Sequence, residues 1–320
     1  MKERGYIETY DFSLGTNFSD KFYLGATFSL TNILYHLDSF YGEKLGEGGT
    51  IGLDNYFETQ GAGYQFNAGV IWRPVDALRL GVAYHSPVWY SLTDYYQGTA
   101  KADHAGGNTG QEGISTPNDA LTDYRFNTPY YWVFSAAGVI GTKAVVSLDY
   151  EIKDYSGMNL MDKYGKEKEF ENHYIQQDFK TASTVRAGLE YRFTPQFSGR
   201  LGYSWVENPY KTEFKDNPSA GEYLNVNEKY RYKDLIVGTV PHYTIESNVN
   251  YLTAGIGYRF TPRFYVDATL VYRSQTDDLY YFPSYEFINN NGEHRQLVKS
   301  IPAKLTNNTY KGLVTVGYKF

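Results

Sequence analysis

The sequence predicts an all-β chain, a transmembrane antiparallel β-barrel with about eleven strands present. Three observations carry this expectation. Apolar and polar residues alternate with period two along the whole length. Tight turns alternate strictly with long polar connections, as in a barrel with short periplasmic turns and long extracellular loops. The last ten residues, 311–320, place Gly312, Val314, Val316, Tyr318 and Phe320 on one face, with Thr315 and Lys319 on the other.

Composition narrows the alternatives. The 320 residues include 34 Tyr, 19 Phe and 4 Trp, no Cys, and a net charge of −6. No run approaches the roughly 18 apolar residues of a membrane helix. The lack of Cys excludes disulfide frameworks, thiol nucleophiles and Cys-based metal sites. A net negative chain offers no basic face for nucleic acid. The charged start Met1-Lys2-Glu3-Arg4 is followed by no apolar core of a signal peptide.

In chain order, the predicted hairpins pair 6–16 with 21–31, 62–73 with 77–92, 130–140 with 143–155, 181–193 with 197–207, and 249–260 with 263–275. A final strand covers 309–320. The turns between them are Asn17-Phe18-Ser19-Asp20, Arg73-Pro74-Val75-Asp76, Gly141-Thr142-Lys143, and two copies of one motif. Ala187–Phe197 and Ala254–Phe264 share the segment Tyr-Arg-Phe-Thr-Pro, an internal repeat of one hairpin type. Long connections are expected at 32–60, 93–129, 156–180, 208–248 and 276–308.

A soluble β-sandwich also alternates, so the composition of the faces decides. The polar face is dense in charge, with Arg79, His85, Asp149, Glu151, Lys153, Arg186, Glu190, Arg200, Asp267 and Arg273 interleaved with glycines. That suits a crowded lumen. On the apolar face, rings such as Phe22, Trp72, Trp89, Tyr191, Phe193, Tyr258, Phe260 and Phe264 gather near strand ends, where headgroups favour them. A Lys or Arg at the lipid-facing midplane would cost roughly 2–4 kcal/mol, and the central apolar positions carry none.

With Phe320 at the periplasmic side, counting back through eleven strands makes the first strand parallel to the last. Bacterial single-chain barrels are antiparallel and even-numbered. The expectation is therefore a single outer-membrane β-barrel domain over 1–320, of which the first strands lie before Met1.

The chain resembles the FadL/TodX-type outer-membrane transporters of long-chain fatty acids and hydrocarbons. The resemblance rests on Gly63-Tyr64-Gln65-Phe66-Asn67-Ala68-Gly69-Val70, on Tyr84-His85-Ser86-Pro87-Val88, and on Phe179-Lys180-Thr181-Ala182 leading into Tyr191. It implies a fourteen-stranded barrel plugged by an amino-terminal hatch, a segment this sequence lacks. It further implies a monomer of the Gram-negative outer membrane that passes hydrophobic small molecules, foremost long-chain fatty acids. Implied partners are outer-membrane lipid, the hydrophobic substrate, and the barrel-assembly machinery, met through Tyr318 and Phe320. His85 stands where the family pattern has Arg, and an imidazole holds an anion less firmly than a guanidinium.

A fatty-acid route needs an apolar groove and a cation. Candidates for the carboxylate are Lys180, Arg186 and His85; the competing reading pairs Lys180 and Arg186 with luminal Glu190, Asp149 or Glu151. Groove candidates are Leu37, Phe40, Tyr41, Tyr56, Phe57, Trp89 and Tyr90, with mutual loop packing as the alternative. No catalytic residue, metal or cofactor is expected. His85 and Ser86 point to opposite faces of a strand, the six His are scattered, and Asp149, Glu151 and Lys153 read as a salt-bridged lumen wall. The alternative functions are a general diffusion porin, or a structural or adhesive barrel with receptor-like loops.

Overall fold

The computed structural model describes residues 1–44, 49–103, 112–115, 120–211, 225–226, 229–230, 243–280, 285–288, 294–298 and 301–319. Its strands are β1 (Lys2–Phe18), β2 (Phe22–Lys44), β3 (Thr50–Val75), β4 (Leu78–His85), β5 (Trp89–Asp103), β6 (Glu112–Ser115), β7 (Leu121–Asn127), β8 (Tyr131–Ile140), β9 (Ala144–Asp154) and β10 (Asn159–Asp162). A helix, α1 (Glu169–Asp178), precedes β11 (Thr181–Arg192) and β12 (Phe197–Val206). The rest are β13 (Asn225–Val226), β14 (Lys229–Tyr230), β15 (Tyr243–Ile245), β16 (Val249–Arg259), β17 (Phe264–Tyr280), β18 (Tyr285–Ile288), β19 (His294–Val298) and β20 (Ala303–Tyr318).

Sixteen of these form one antiparallel sheet. Several are pieces of one strand: β4 continues as β5, β7 as β8, β9 as β10, and β15 as β16, each sharing a neighbour or following it directly. Eleven positions result across the wall, in the order β1, β2, β3, β4/β5, β7/β8, β9/β10, β11, β12, β15/β16, β17, β20. The count equals the predicted one. β1 and β20 stand at its two ends and, as first and eleventh of an antiparallel series, run in the same direction.

Register separates the two faces. Leu201, Ala254, Leu270 and Gly312 lie opposite one another in four successive strands, as do Gly199, Ile256, Ala268 and Val314 in the next row. On this face Leu201, Ile256, Leu270 and Val314 are more than half exposed. A soluble domain would bury such side chains; here, glycines apart, the only buried apolar residues among those described are Leu92, Pro129, Ala182, Ile245 and Tyr280. The wall is thus apolar outward, and a bilayer is the solvent that accepts it. The first hairpin turns through Ser19 and Asp20 with φ of 53° and 54°, the mirror-image turn that matches strand twist. The two Thr-Pro turns are fastened alike: Thr194 Oγ1 accepts from the amides of Gln196 and Phe197, and Thr261 Oγ1 from those of Arg263 and Phe264.

The predicted connections at 32–60, 93–129 and 276–308 differ from what is found. β2 and β3 continue as a ladder out to Lys44 and Thr50, and β5, β7, β17 and β20 are extended similarly. The 26 residues of β3 reach about 85 Å at roughly 3.3 Å per residue, far beyond a lipid-facing band about 25 Å tall. Polar strand-formers such as Tyr and Thr keep the ladder intact in water, because its hydrogen bonds do not depend on lipid. The 156–180 connection contains β10 and α1, neither of which was expected. Phe320, the expected terminal aromatic, lies outside the described residues.

Three neighbouring strands are interrupted at one level: at 86–88, at 128–130, and at 155–158, where a 3-10 turn intervenes. Pro87 and Pro129 have no amide to give the ladder. Side chains take over its bonds. Ser86 Oγ accepts from the Phe66 amide at 3.0 Å, Gln65 Nε2 donates to the Ser86 carbonyl at 2.7 Å, and the Val88 amide donates to Thr128 Oγ1 at 2.8 Å.

Candidate functional site

A polar ladder crosses the luminal face just below these interruptions. Ser29 Oγ donates to Asp11 at 2.6 Å, Asn67 Nδ2 donates to Ser29 Oγ at 3.5 Å, and His85 Nδ1 lies 2.7 Å from Asn67 Oδ1, a contact in which the imidazole donates. The His85 ring stacks on Tyr131, with centroids 4.1 Å apart and planes at 7°. Lys153 Nζ sits 4.4 Å above the other partner of that stack, the Tyr131 ring. Lys153 and Arg186 then share one carboxylate, Glu151, at 3.7 and 2.8 Å.

Local sequence explains each position. Asp11, Ser29, Asn67 and His85 occupy the strand parity opposite to the outward Phe12, Phe28, Phe66 and Tyr84. Glu151 and Lys153 lie two apart in β9 and therefore share a face. Glu151 is 12% exposed at its side chain and Arg186 45%, so the carboxylate is the held member and the guanidinium the more open one. Chemically, the end of the ladder presents two cations around one carboxylate, a setting that can accept a second one.

The structure thus joins two of the three carboxylate candidates, His85 and Arg186, through Tyr131, Lys153 and Glu151. Lys180 stands apart from them. Its Nζ meets Glu207 at 2.5 Å, and Glu207 also accepts from the Ser183 amide at 3.0 Å. Asn67 and Tyr131 were not singled out as site residues in the sequence. The signal that could have found Tyr131 is the register, since His85, Tyr131 and Lys153 are directly opposite in β4, β8 and β9.

The groove candidates divide between two faces. Leu37 and Phe57 are register partners on the luminal parity, where Tyr35 also meets Phe57 at 6.4 Å. Tyr90 lies on that side too, its ring over Gly63, where a Cβ would come within 2.6 Å of it. Tyr41 shares this parity and its hydroxyl donates to Glu43 at 3.4 Å. Phe40 and Tyr56 are on the other parity and line a cavity of about 460 Å³ with Asp38 and Asn55. Tyr56 donates to Glu58 at 2.5 Å and lies 3.0 Å from His36. Trp89 faces outward, packed on Tyr64 and Phe66 with centroids at 5.2 and 6.4 Å.

Nearer the hairpin end, a second luminal network centres on Arg200, which donates to Glu190 at 2.8 Å and to Asp267 at 2.7 Å. Above the wall, Asp162 closes a tight turn by accepting from the amides of Tyr164 and Lys166 at 2.8 and 2.9 Å. Those backbone bonds, that of Lys166 foremost, hold its carboxyl below the usual carboxylate range.

Known proteins agree with this architecture. The family model described as outer membrane protein transport protein (OMPP1/FadL/TodX) matches residues 19–217. Outer membrane protein P1 of Haemophilus influenzae is 22% identical over 238 residues, covering 62% of this chain. The chain spans about half, 47%, of that relative's length. Among solved structures, a Pseudomonas aeruginosa FadL homologue is 17% identical with a TM-score of 0.52, over 97% of this chain and 67% of its own. The Ralstonia pickettii toluene transporter TbuX is 14% identical with a TM-score of 0.55, over 99% and 68%. The P. putida toluene transporter TodX is 11% identical with a TM-score of 0.55, over 99% and 70%. Identities this low speak to the fold alone, whereas the family model covers more than half of the chain. The chain therefore belongs to the OMPP1/FadL/TodX family of outer membrane transport proteins and is an outer-membrane β-barrel protein of Gram-negative type.

Proposed function

We propose that the full-length protein carries hydrophobic small molecules across the outer membrane, and that its substrates are amphiphilic acids of the long-chain fatty-acid class. The observation that supports the acid is the end of the luminal ladder, where Lys153 and Arg186 share the single carboxylate of Glu151. A toluene-like hydrocarbon would have no use for such a pair. In this reading Arg186, the more exposed cation, turns from Glu151 toward the ligand's carboxylate, and Lys153 keeps Glu151 neutralised. His85 and Tyr131 fix Lys153 in place through the stack. The tail lies along luminal Leu37, Phe57 and Tyr90, while Lys180, Phe40, Tyr41 and Tyr56 serve the approach from outside and Trp89, on the outward face, takes no part.

The wall itself belongs to the proposal. Two parallel ends cannot pair in an antiparallel barrel, and backbone groups in hydrocarbon must be paired. An odd number of further strands between β20 and β1 closes it.

The test is uptake and binding by the full-length protein. Cells that depend on it should take up oleate, and purified protein should bind oleate more tightly than toluene or oleyl alcohol. Equal binding of acid and alcohol would remove the carboxylate from the proposal. Large, steady ion conductance in planar bilayers without uptake of either would place the protein with the diffusion porins.

A further inference from the structure

The repeated Tyr-Arg-Phe-Thr-Pro segment is not used by the ladder. Its two copies end β11 and β16, which flank β12 in the sheet. Each copy turns its rings outward: Tyr191 meets Phe193 at 5.0 Å and Tyr258 meets Phe260 at 4.8 Å. By the same alternation each copy turns its arginine, Arg192 or Arg259, to the inner side. Both arginines line one cavity of about 330 Å³ at the hairpin end of the lumen.

The charges of this cavity do not balance. Its two carboxylates, Glu190 and Asp267, are both taken by Arg200 at 2.8 and 2.7 Å. Arg192 and Arg259 make no ion pair among the described residues, so three guanidiniums face two carboxylates. Nor do neighbours relieve them. The Arg192 amide donates to the carbonyl of Lys143 at 2.7 Å, so a lysine that also makes no ion pair among the described residues stands directly across the strand. Like charges placed opposite each other destabilise a sheet. Gly257 gives the Asp267 carboxylate its place beside Arg200, since a Cβ there would stand 2.3 Å from Asp267 Oδ1 and 3.0 Å from Ser198 Oγ.

We propose that this mouth is an oxyanion site in which Arg192 and Arg259 together hold one carboxylate or phosphate group. Arg200 keeps the two resident carboxylates occupied and thereby leaves the flanking guanidiniums available. Ser198 and Tyr265, on the cavity wall, supply neutral donors. The site stands independently of the ladder: it requires an anion, not a hydrophobic tail.

The experiment uses the full-length protein in neutral detergent, with inorganic phosphate titrated and binding read by calorimetry. Phosphate should bind, more weakly as chloride rises, and Arg192→Gln with Arg259→Gln together should weaken it by about tenfold or more, as loss of two charge-assisted contacts implies. Lys319→Gln, a cation of the same end outside the cavity, should change it little. Octanoate and a short-chain lysophosphatidic acid then serve as competitors: displacement by the first assigns the site to a ligand's carboxylate, by the second to a lipid phosphate. Absence of phosphate binding, or equal binding by the double variant with an unchanged unfolding transition, overturns the proposal. Loss of octanoate binding here with oleate uptake intact would leave the transport reading standing.

Discussion

Arg186 donates to Glu151 across neighbouring strands at 2.8 Å, and this is the contact a substrate acid would have to replace. Arg186→Glu should therefore weaken oleate binding to the full-length protein by about tenfold or more, since a charge-assisted hydrogen bond is worth roughly 1.5–3 kcal/mol. Glu151→Gln should act in the opposite sense, releasing both cations and tightening oleate severalfold. Fluorescent fatty-acid displacement measures both, and a matching fall for the two variants would contradict the exchange.

His85 offers a second handle. Arg in its place can stack on Tyr131 as the imidazole does and adds a permanent charge to the ladder. His85→Arg should raise oleate affinity about three- to tenfold, with the gain shrinking at high salt. His85→Ala removes the stack and should lower affinity modestly without unfolding the barrel, as judged by heat-modified mobility on gels.

Gly63 leaves the space in which the Tyr90 ring lies. Gly63→Val would drive its side chain against that ring and against Val88, whose Cγ1 is 2.9 Å from the position of a Cβ. Overpacking of this sort costs about 1–3 kcal/mol. Uptake should fall, and Gly63→Val combined with Tyr90→Ala should recover a good part of the lost stability in urea unfolding.

Arg200 ties β12 to both β11 and β17, through Glu190 and Asp267. Arg200→Met should lower stability by about 1 kcal/mol, well short of a fully buried pair because the guanidinium is 42% exposed. Chemical denaturation in vesicles reads this. A loss several times larger would show that the network carries the closure of that sector.

Asp162 gives a pH dependence with a definite sign. Its carboxyl is depressed below its ordinary value by backbone donors. The turn's stabilisation is therefore complete above the ordinary carboxylate pKa and is lost as pH falls through the depressed one. Hydrogen exchange at the Tyr164 and Lys166 amides should accelerate, relative to neighbouring loops, only in that acid range. Asp162→Asn should weaken the turn at neutral pH and abolish the acid transition.

The hairpins were legible because lipid on one side and lumen on the other impose a local, period-two signal. The 181–193 and 197–207 runs, for instance, are found as Thr181–Arg192 and Phe197–Val206. Glu151 as a partner of Arg186 was legible too, as one of three luminal acids, with Glu190 and Asp149. What escaped depends on distant register or on water. The stack of His85 on Tyr131 requires knowing that β4 meets β8, and the long β2–β3 ribbon has no lipid to sharpen its alternation. The helix Glu169–Asp178 carries few apolar side chains, so no helical stripe announced it. Pro87 and Pro129 did mark the strand breaks, but only their side-by-side placement gives them meaning.

Those breaks at 86–88, 128–130 and 155–158 act as a register insulator. In an unbroken strand, one inserted residue turns every later side chain from lumen to lipid. Here the ladder is cut and re-fastened by side chains of Ser86 and Thr128, so a length change in β5, β7 or β10 ends at the cut. The part of the protein that meets the outside can change in length while the rows that meet the bilayer keep their phase.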